Sequence, residues 1–174
     1  MATPVFTVGS RTIVAQLLMQ QPLFLAVGSG DPAWDDIPPP ATPEEESLEI
    51  AALSQETALK NCVGFTRIRA KSFVVPDEAG TIVMLDGSKW SKTNVPGPAF
   101  MLEYLLELEE ATGVSLRESG VYVGTQFAAS APAGQMYVPL ADVTSLGTLI
   151  QLTRFPPIVR DGSLSQSMTP VLEV

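Results

Sequence analysis

The apolar and polar positions of this chain change period several times, and each change marks an element. Within residues 1–21, Ile13, Leu17, Gln20 and Gln21 fall at helical spacing, which predicts a short N-terminal helix ended by Pro22. LFLAVG, Leu23 to Gly28, is an uninterrupted apolar run bounded by Pro and Gly and predicts a strand. Gly28 to Pro43 then turns polar and proline-rich, which predicts an extended arm with little internal hydrogen bonding, pinned by Trp34 in its middle. Thr42-Pro43-Glu44-Glu45 is a helix start: Thr can cap, Pro is tolerated at the first helical position, and Glu45 can close a capping box. That second helix is expected to finish near Thr57 with Leu48, Ala51, Ala52 and Leu53 on its buried side.

From Lys60 the period becomes two. In FTRIRAKSFVV, Arg67, Arg69 and Lys71 alternate with Thr66, Ile68 and Ala70, which predicts one strand with a basic edge or solvated face. Pro76 to Gly80 reads as a turn, IVML as a short strand, and Asp86-Gly87 as a hairpin turn before SKWSKT. AFMLEYLLELEEATG consists of good helix formers, yet its alternation and the preceding Pro98 predict a strand. SLRESGVYVG, QMYVPL, TLIQLTRF and SLSQSMTPVLEV add further strands. The expected fold is mainly β, antiparallel and sandwich-like, with short N-terminal helices and an extended Pro-rich arm; α+β is the alternative. Residues 1–60 would hold the helices and the arm, and residues 61–174 the β domain.

Composition narrows the chemistry. The 174 residues can bury a core without disulfide or metal staples, and Cys62 has no second cysteine to pair with. Histidine is absent, which removes Ser-His-Asp and Cys-His catalysis and the common histidine metal sites. A net charge of −9 argues against nucleic acid and anionic membrane surfaces as main partners. Charged residues make up only 17% of the chain against 45% apolar ones, so part of its apolar surface is expected to be covered by another chain. The run from Ile13 to Val27 is interrupted by Gln16, Gln20, Gln21 and Pro22 and is unlike a secretory leader; the expectation is a soluble chain made in the cytoplasm.

Candidate sites fare poorly as chemistry. Gly28-Ser29-Gly30-Asp31 lacks the lysine and the following helix of a phosphate loop and is better read as a tight turn. Asp31, Asp35 and Asp36 could offer oxygens to calcium, but not at the spacing of an EF-hand loop. Glu103 and Glu107 would share one face of a strand and could not flank a substrate as glycosidase carboxylates do. No catalytic, cofactor or metal residue is therefore assigned. In SLRESGVYVG, Glu118 is expected to be buried and to need a partner, either Arg117, the basic strand from Arg67 to Lys71, or backbone amides; Gly120 would admit a close neighbour.

The same stretch carries a resemblance. Arg117 to Tyr122 resembles the E-x-G-(L/I/V)-(Y/F) strand of phage baseplate wedge and tail-fibre attachment proteins. The segment LAVGSGDPAWDDIPPPATPEEESLEIAA, from Leu25, is similar to one near the start of such proteins, and FPPIVRDGSLSQSMTPVLEV, from Phe155, to their closing P-P loop and final strand. The resemblance implies a non-enzymatic structural protein of a bacteriophage virion, a baseplate wedge or fibre-adaptor component. Its partners would be other tail proteins and tail fibres, in multiple copies around the tail axis, with no cofactor. Phe24, Trp34, Ile37, Leu48 and Trp90 are the interface candidates, and Arg117, Glu118, Gly120 and Tyr122 the structural motif. The rival reading is a receptor or glycan-binding β module whose contacts lie in Ala128 to Gln135.

Overall fold

A computed structural model describes residues 4–84 and 87–174. The chain forms two compact units interleaved in sequence. One comprises residues 1–21, 68–104 and 168–174, and the other residues 22–67 and 105–167. Antiparallel strands dominate both, as the alternating pattern predicts.

In the second unit a five-stranded sheet runs β11-β7-β1-β2-β9, where β1 is Leu23–Gly28, β2 Cys62–Arg67, β7 Val114–Val123, β9 Tyr137–Pro139 and β11 Thr148–Arg160. β1 lies at the centre and is buried along its whole length, which is why its sequence has no polar alternation. It pairs with β2 from Phe24↔Arg67 to Gly28↔Cys62 and with β7 from Leu23↔Val123 to Gly28↔Glu118. Phe24, Ala26, Leu59, Phe65 and Tyr122 form the core on this sheet. Phe127 closes edge-on against Phe24 at 5.1 Å. β8 (Gln126–Phe127) and β10 (Val143–Ser145) make a separate two-stranded ribbon. Phe155-Pro156-Pro157, expected as part of a closing loop, lies inside β11. There the register with β7 shifts between Arg154 and Ile158, a break that proline tolerates because it needs no ladder donor.

The first unit holds α1 (Val8–Gln20) and a sheet in which β3 (Ala70–Pro76) lies between β6 (Ala99–Leu106) and β5 (Lys89–Thr93). β4 (Ile82–Val83) extends it beyond β5, and β13 (Val171–Glu173) pairs with the other edge of β6. Val74, Trp90, Ala99 and Met101 make its core. Thr7 caps α1, and Lys71 Nζ donates to the Met19 and Gln21 carbonyls at its far end, at 2.9 and 2.7 Å. β4 and β5 form the expected hairpin, with Gly87 at φ +82°; Asp86 lies outside the described residues. β12 (Gln166–Met168) precedes β13.

Three expectations are corrected. FTRIRAKSFVV is not one strand: β2 ends at Arg67 and β3 begins at Ala70, because the chain leaves one unit for the other between Arg67 and Ile68. The Pro-rich arm is not wholly extended, since Pro32–Asp36 forms a 3₁₀ turn capped by the Asp31 carboxylate on the Ala33 N–H. The second helix, α2, spans Pro43–Leu53 and buries none of its residues.

Candidate functional site

Two neighbouring features of the second unit account for the residues singled out in the sequence. The first is a clamp on β7. Glu118, Gly120 and Tyr122 alternate with Ser119 and Val121 and therefore share one face. Toward that face comes the loop from Ala58 to Asn61, which leads into β2. Tyr122 Oη accepts the Leu59 N–H at 3.1 Å, Glu118 Oε2 the Lys60 N–H at 3.2 Å, and Glu118 Oε1 the Asn61 N–H at 2.9 Å.

Glu118 is 1% exposed, so these amides supply what water would otherwise give its carboxylate. The expected charged partners are occupied elsewhere. Arg67 stacks 4.7 Å from the Phe127 ring and donates to the Gln135 carbonyl. Gly120 is required by space: a Cβ there would stand 2.7 Å from Leu59 Cδ1 and 2.6 Å from Leu149 Cδ1. Gly28 fills the same role opposite Glu118, where a Cβ would come within 2.6 Å of Oε1. The E-x-G-x-Y pattern is thus a device that holds three consecutive amides and seats one leucine between its two polar ends.

The second feature is the arm between β1 and β2. Its base is closed by the Ser29 N–H on the Asn61 carbonyl at 2.9 Å and by Asn61 Nδ2 on the Gly30 carbonyl at 2.6 Å. Arg117, next to the clamp but on the opposite side of β7, grips Asp35 through Nε and Nη2, each at 2.8 Å. Lys60 pairs with Asp31. Trp34 is half-buried, with the Arg154 guanidinium 4.1 Å and Lys60 Nζ 5.7 Å from its ring, and Arg154 also reaches Glu56. Gly30, at φ +59°, lies under the indole, where a Cβ would be 2.3 Å from the ring. The Lys60 and Arg117 hydrogen bonds hold the Asp31 and Asp35 carboxyls below the usual carboxylate range. Beyond this anchored stretch every residue from 35 to 52 is exposed.

The interface candidates therefore divide. Phe24 and Trp90 belong to the chain's own cores, because β1 is central in its sheet and β5 faces the core of the first unit. Trp34 is engaged by the arm's own anchors. Ile37 and Leu48 stand in solvent at 64% and 71% exposure. The first unit has its own uncovered surface, a groove of about 400 Å³ along α1 lined by Ile13, Gln16, Leu17, Met19, Gln20 and Phe73, none of them charged.

The reactive groups weighed in the sequence are engaged or buried among the described residues. Burial pushes the Cys62 thiol up to about 11, far from a reactive thiolate at neutral pH. Glu103 pairs with Lys92, and Glu110 accepts the Glu107 N–H within a turn. Among the described residues no group of three or more Cys, Asp or Glu side chains is gathered to hold a metal, and no helix is long and apolar enough to cross a membrane. The Ala128–Gln135 loop has no aromatic side chain, and Ser130 and Gln135 already bond to Asp142 and to the Tyr137 carbonyl.

The sequence model of one family, described as baseplate wedge 3 tail fiber network component, matches residues 3–174. The chain belongs to that family. A search of curated proteins returned no match. As a baseplate wedge 3 tail fibre network component, the protein is a structural part of a bacteriophage tail, and the virion is its place. The clamp and the arm are features of a wedge protein, and Leu59, Lys60, Asn61 and Arg154 are members that sequence reasoning did not single out, while Asp35 was weighed only as an oxygen donor to calcium and instead holds Arg117. Their one sequence signal was indirect: a buried glutamate needs partners, and the only question was where along the chain they lay.

Proposed function

We propose that the protein is a connector within the baseplate wedge: it joins neighbouring tail proteins, tail fibres among them, and performs no catalysis. One observation carries this reading. Large apolar side chains stand uncovered on both units, Phe6 at 80% and Leu48 at 71% exposure among them, in a chain whose own cores are otherwise filled. A monomer in water gains nothing from leaving such side chains outside, whereas an assembly component buries them when its neighbours arrive. The acidic balance fits a protein partner better than nucleic acid or an anionic membrane. Several copies around the tail axis would multiply modest contacts into stable attachment.

Gold-labelled antibody on purified particles tests this. The expected label lies at the distal rim of the tail. Label at fibre tips would favour a receptor module, and particles without label would overturn the connector.

A further inference from the structure

Resting on the connector reading, we propose that α2 is an insertion element: in the assembled tail its exposed apolar side chains, Leu48, Ile50, Ala51 and Ala52, are enclosed by a socket of a different protein, apolar within and basic at its rim. The helix is well started. Thr42 Oγ1 accepts the Glu45 N–H, Pro43 occupies the first turn, and Glu45 Oε2 reaches back to the Ala41 N–H at 2.7 Å. Yet it has 11 residues and buries none, and isolated helices shorter than about 12–15 residues are marginal in water. Start signals of this strength are spent on a helix whose packing partner lies outside the chain.

The distribution of side chains says what kind of partner that is. At about 100° per residue, the exposed Leu48, Ile50, Ala51 and Ala52 spread over roughly half the circumference, and Glu45, Glu46 and Glu49 share the remaining side with the half-buried Leu53. An apolar arc this wide is stable when it is enclosed, so the complement is a concave socket, open along the glutamate side, and not a flat face. The remaining side and the first turn are acidic: Glu44, Glu45, Glu46 and Glu49 have no basic partner among the described residues, and no Lys or Arg occurs from Asp31 to Leu59. Lysines or arginines at the socket's mouth would neutralise them. A second copy of this chain is the wrong occupant, because it would bring the same glutamates and the same net charge of −9. Pro38-Pro39-Pro40, a stiff extended spacer, separates the helix from the anchored stretch at Asp31 to Asp36.

Particles assembled with a photoreactive benzoylphenylalanine at position 48, and separately at Val159 on β11 as a control, test the proposal once irradiated and mapped by peptide mass spectrometry. Position 48 should join to one other tail protein at an apolar segment flanked by Lys or Arg. Leu48→Asp should lower the copies per particle at least tenfold, while Leu48→Met should not. A crosslink to a second copy, a partner segment without basic residues, no crosslink from 48, or full incorporation of a Leu48→Asp chain that melts like the parent each overturns the socket. Antibody label still at the tail's distal rim would then leave the connector reading intact, whereas loss of label from particles bearing the unmodified chain removes both.

Discussion

β7 and α2 lie in the same unit and solve opposite problems. In β7 a carboxylate and a phenol are buried, and backbone amides of the adjoining loop donate to both. In α2 Leu48 and Ile50 stand exposed at 71% and 60%. The first arrangement closes the fold on itself; the second leaves it open to another molecule. A polar residue inside with its amide donors supplied thus marks structure here, and under the connector reading an apolar residue outside marks a contact with a neighbour. The comparison predicts that substitutions on β7 act on stability, and substitutions on α2 act on assembly.

The largest effect on stability belongs to Glu118→Ala. Removing the carboxylate leaves the Lys60 and Asn61 amides without their acceptor in a part-buried site, and the loss should be about 3 kcal/mol in urea-unfolding free energy. Glu118→Gln keeps an acceptor and should lose roughly half as much. If Glu118→Ala unfolds at the parent's urea midpoint, the clamp does not hold the fold. Gly120→Ala comes next. Its methyl group would displace Leu59 and Leu149 side chains from contacts of 2.7 and 2.6 Å, and overpacking of this kind costs about 2 kcal/mol. Tyr122→Phe removes only the acceptor for the Leu59 N–H and should cost about 1.5 kcal/mol in the same measurement.

Much of this was legible along the chain. β1 and β6 announce themselves, one as a continuous apolar run between Pro and Gly and the other as an alternation strong enough to override the helix propensity of Leu, Met and Glu. The helix start at Thr42 was legible because capping is local chemistry. What was not legible depends on distance. The partners of Glu118 lie 57 and 58 residues away, and a list of nearby cations pointed to Arg67, which an aromatic pair had already taken. The break at Ile68 was hidden because two strands in succession keep the same alternation on either side of a crossing. α2 misled for a related reason: apolar residues at helical spacing say that something covers them, but not that the cover belongs to the same chain.

A smaller effect is expected in the arm's anchors, where acid is the probe. Arg117 lowers the Asp35 carboxyl, and Lys60 lowers Asp31, below the ordinary value of 3.8. A carboxyl depressed in the folded state contributes stability that is whole above its unfolded value and is lost as pH falls through its folded value. The arm should therefore stay fixed from pH 5 to 8 and loosen only below about pH 3.8. Trp34 emission in a Trp90→Phe background reports this, since loosening withdraws the indole from Arg154. Asp35→Asn should abolish most of the acid step and make the neutral-pH signal more sensitive to 1 M salt; an unchanged acid step would mean that another group holds the arm.

The smallest effect on the fold is the one that sharpens the comparison most. Leu48 is 71% exposed and touches no core, so Leu48→Asp should shift the unfolding free energy by less than about 0.5 kcal/mol, the range of surface substitutions away from special features. Added negative charge in an already acidic helix, four residues after Glu44, should lower helicity slightly and leave both units intact. A melting temperature that fell as far as that of Tyr122→Phe would show that α2 is covered by its own chain in solution, and the contrast between the closed strand and the open helix would collapse. An unchanged melting temperature keeps fold and assembly separable within one unit, because Glu118 and Tyr122 are buried by their own chain while Leu48 stands in solvent.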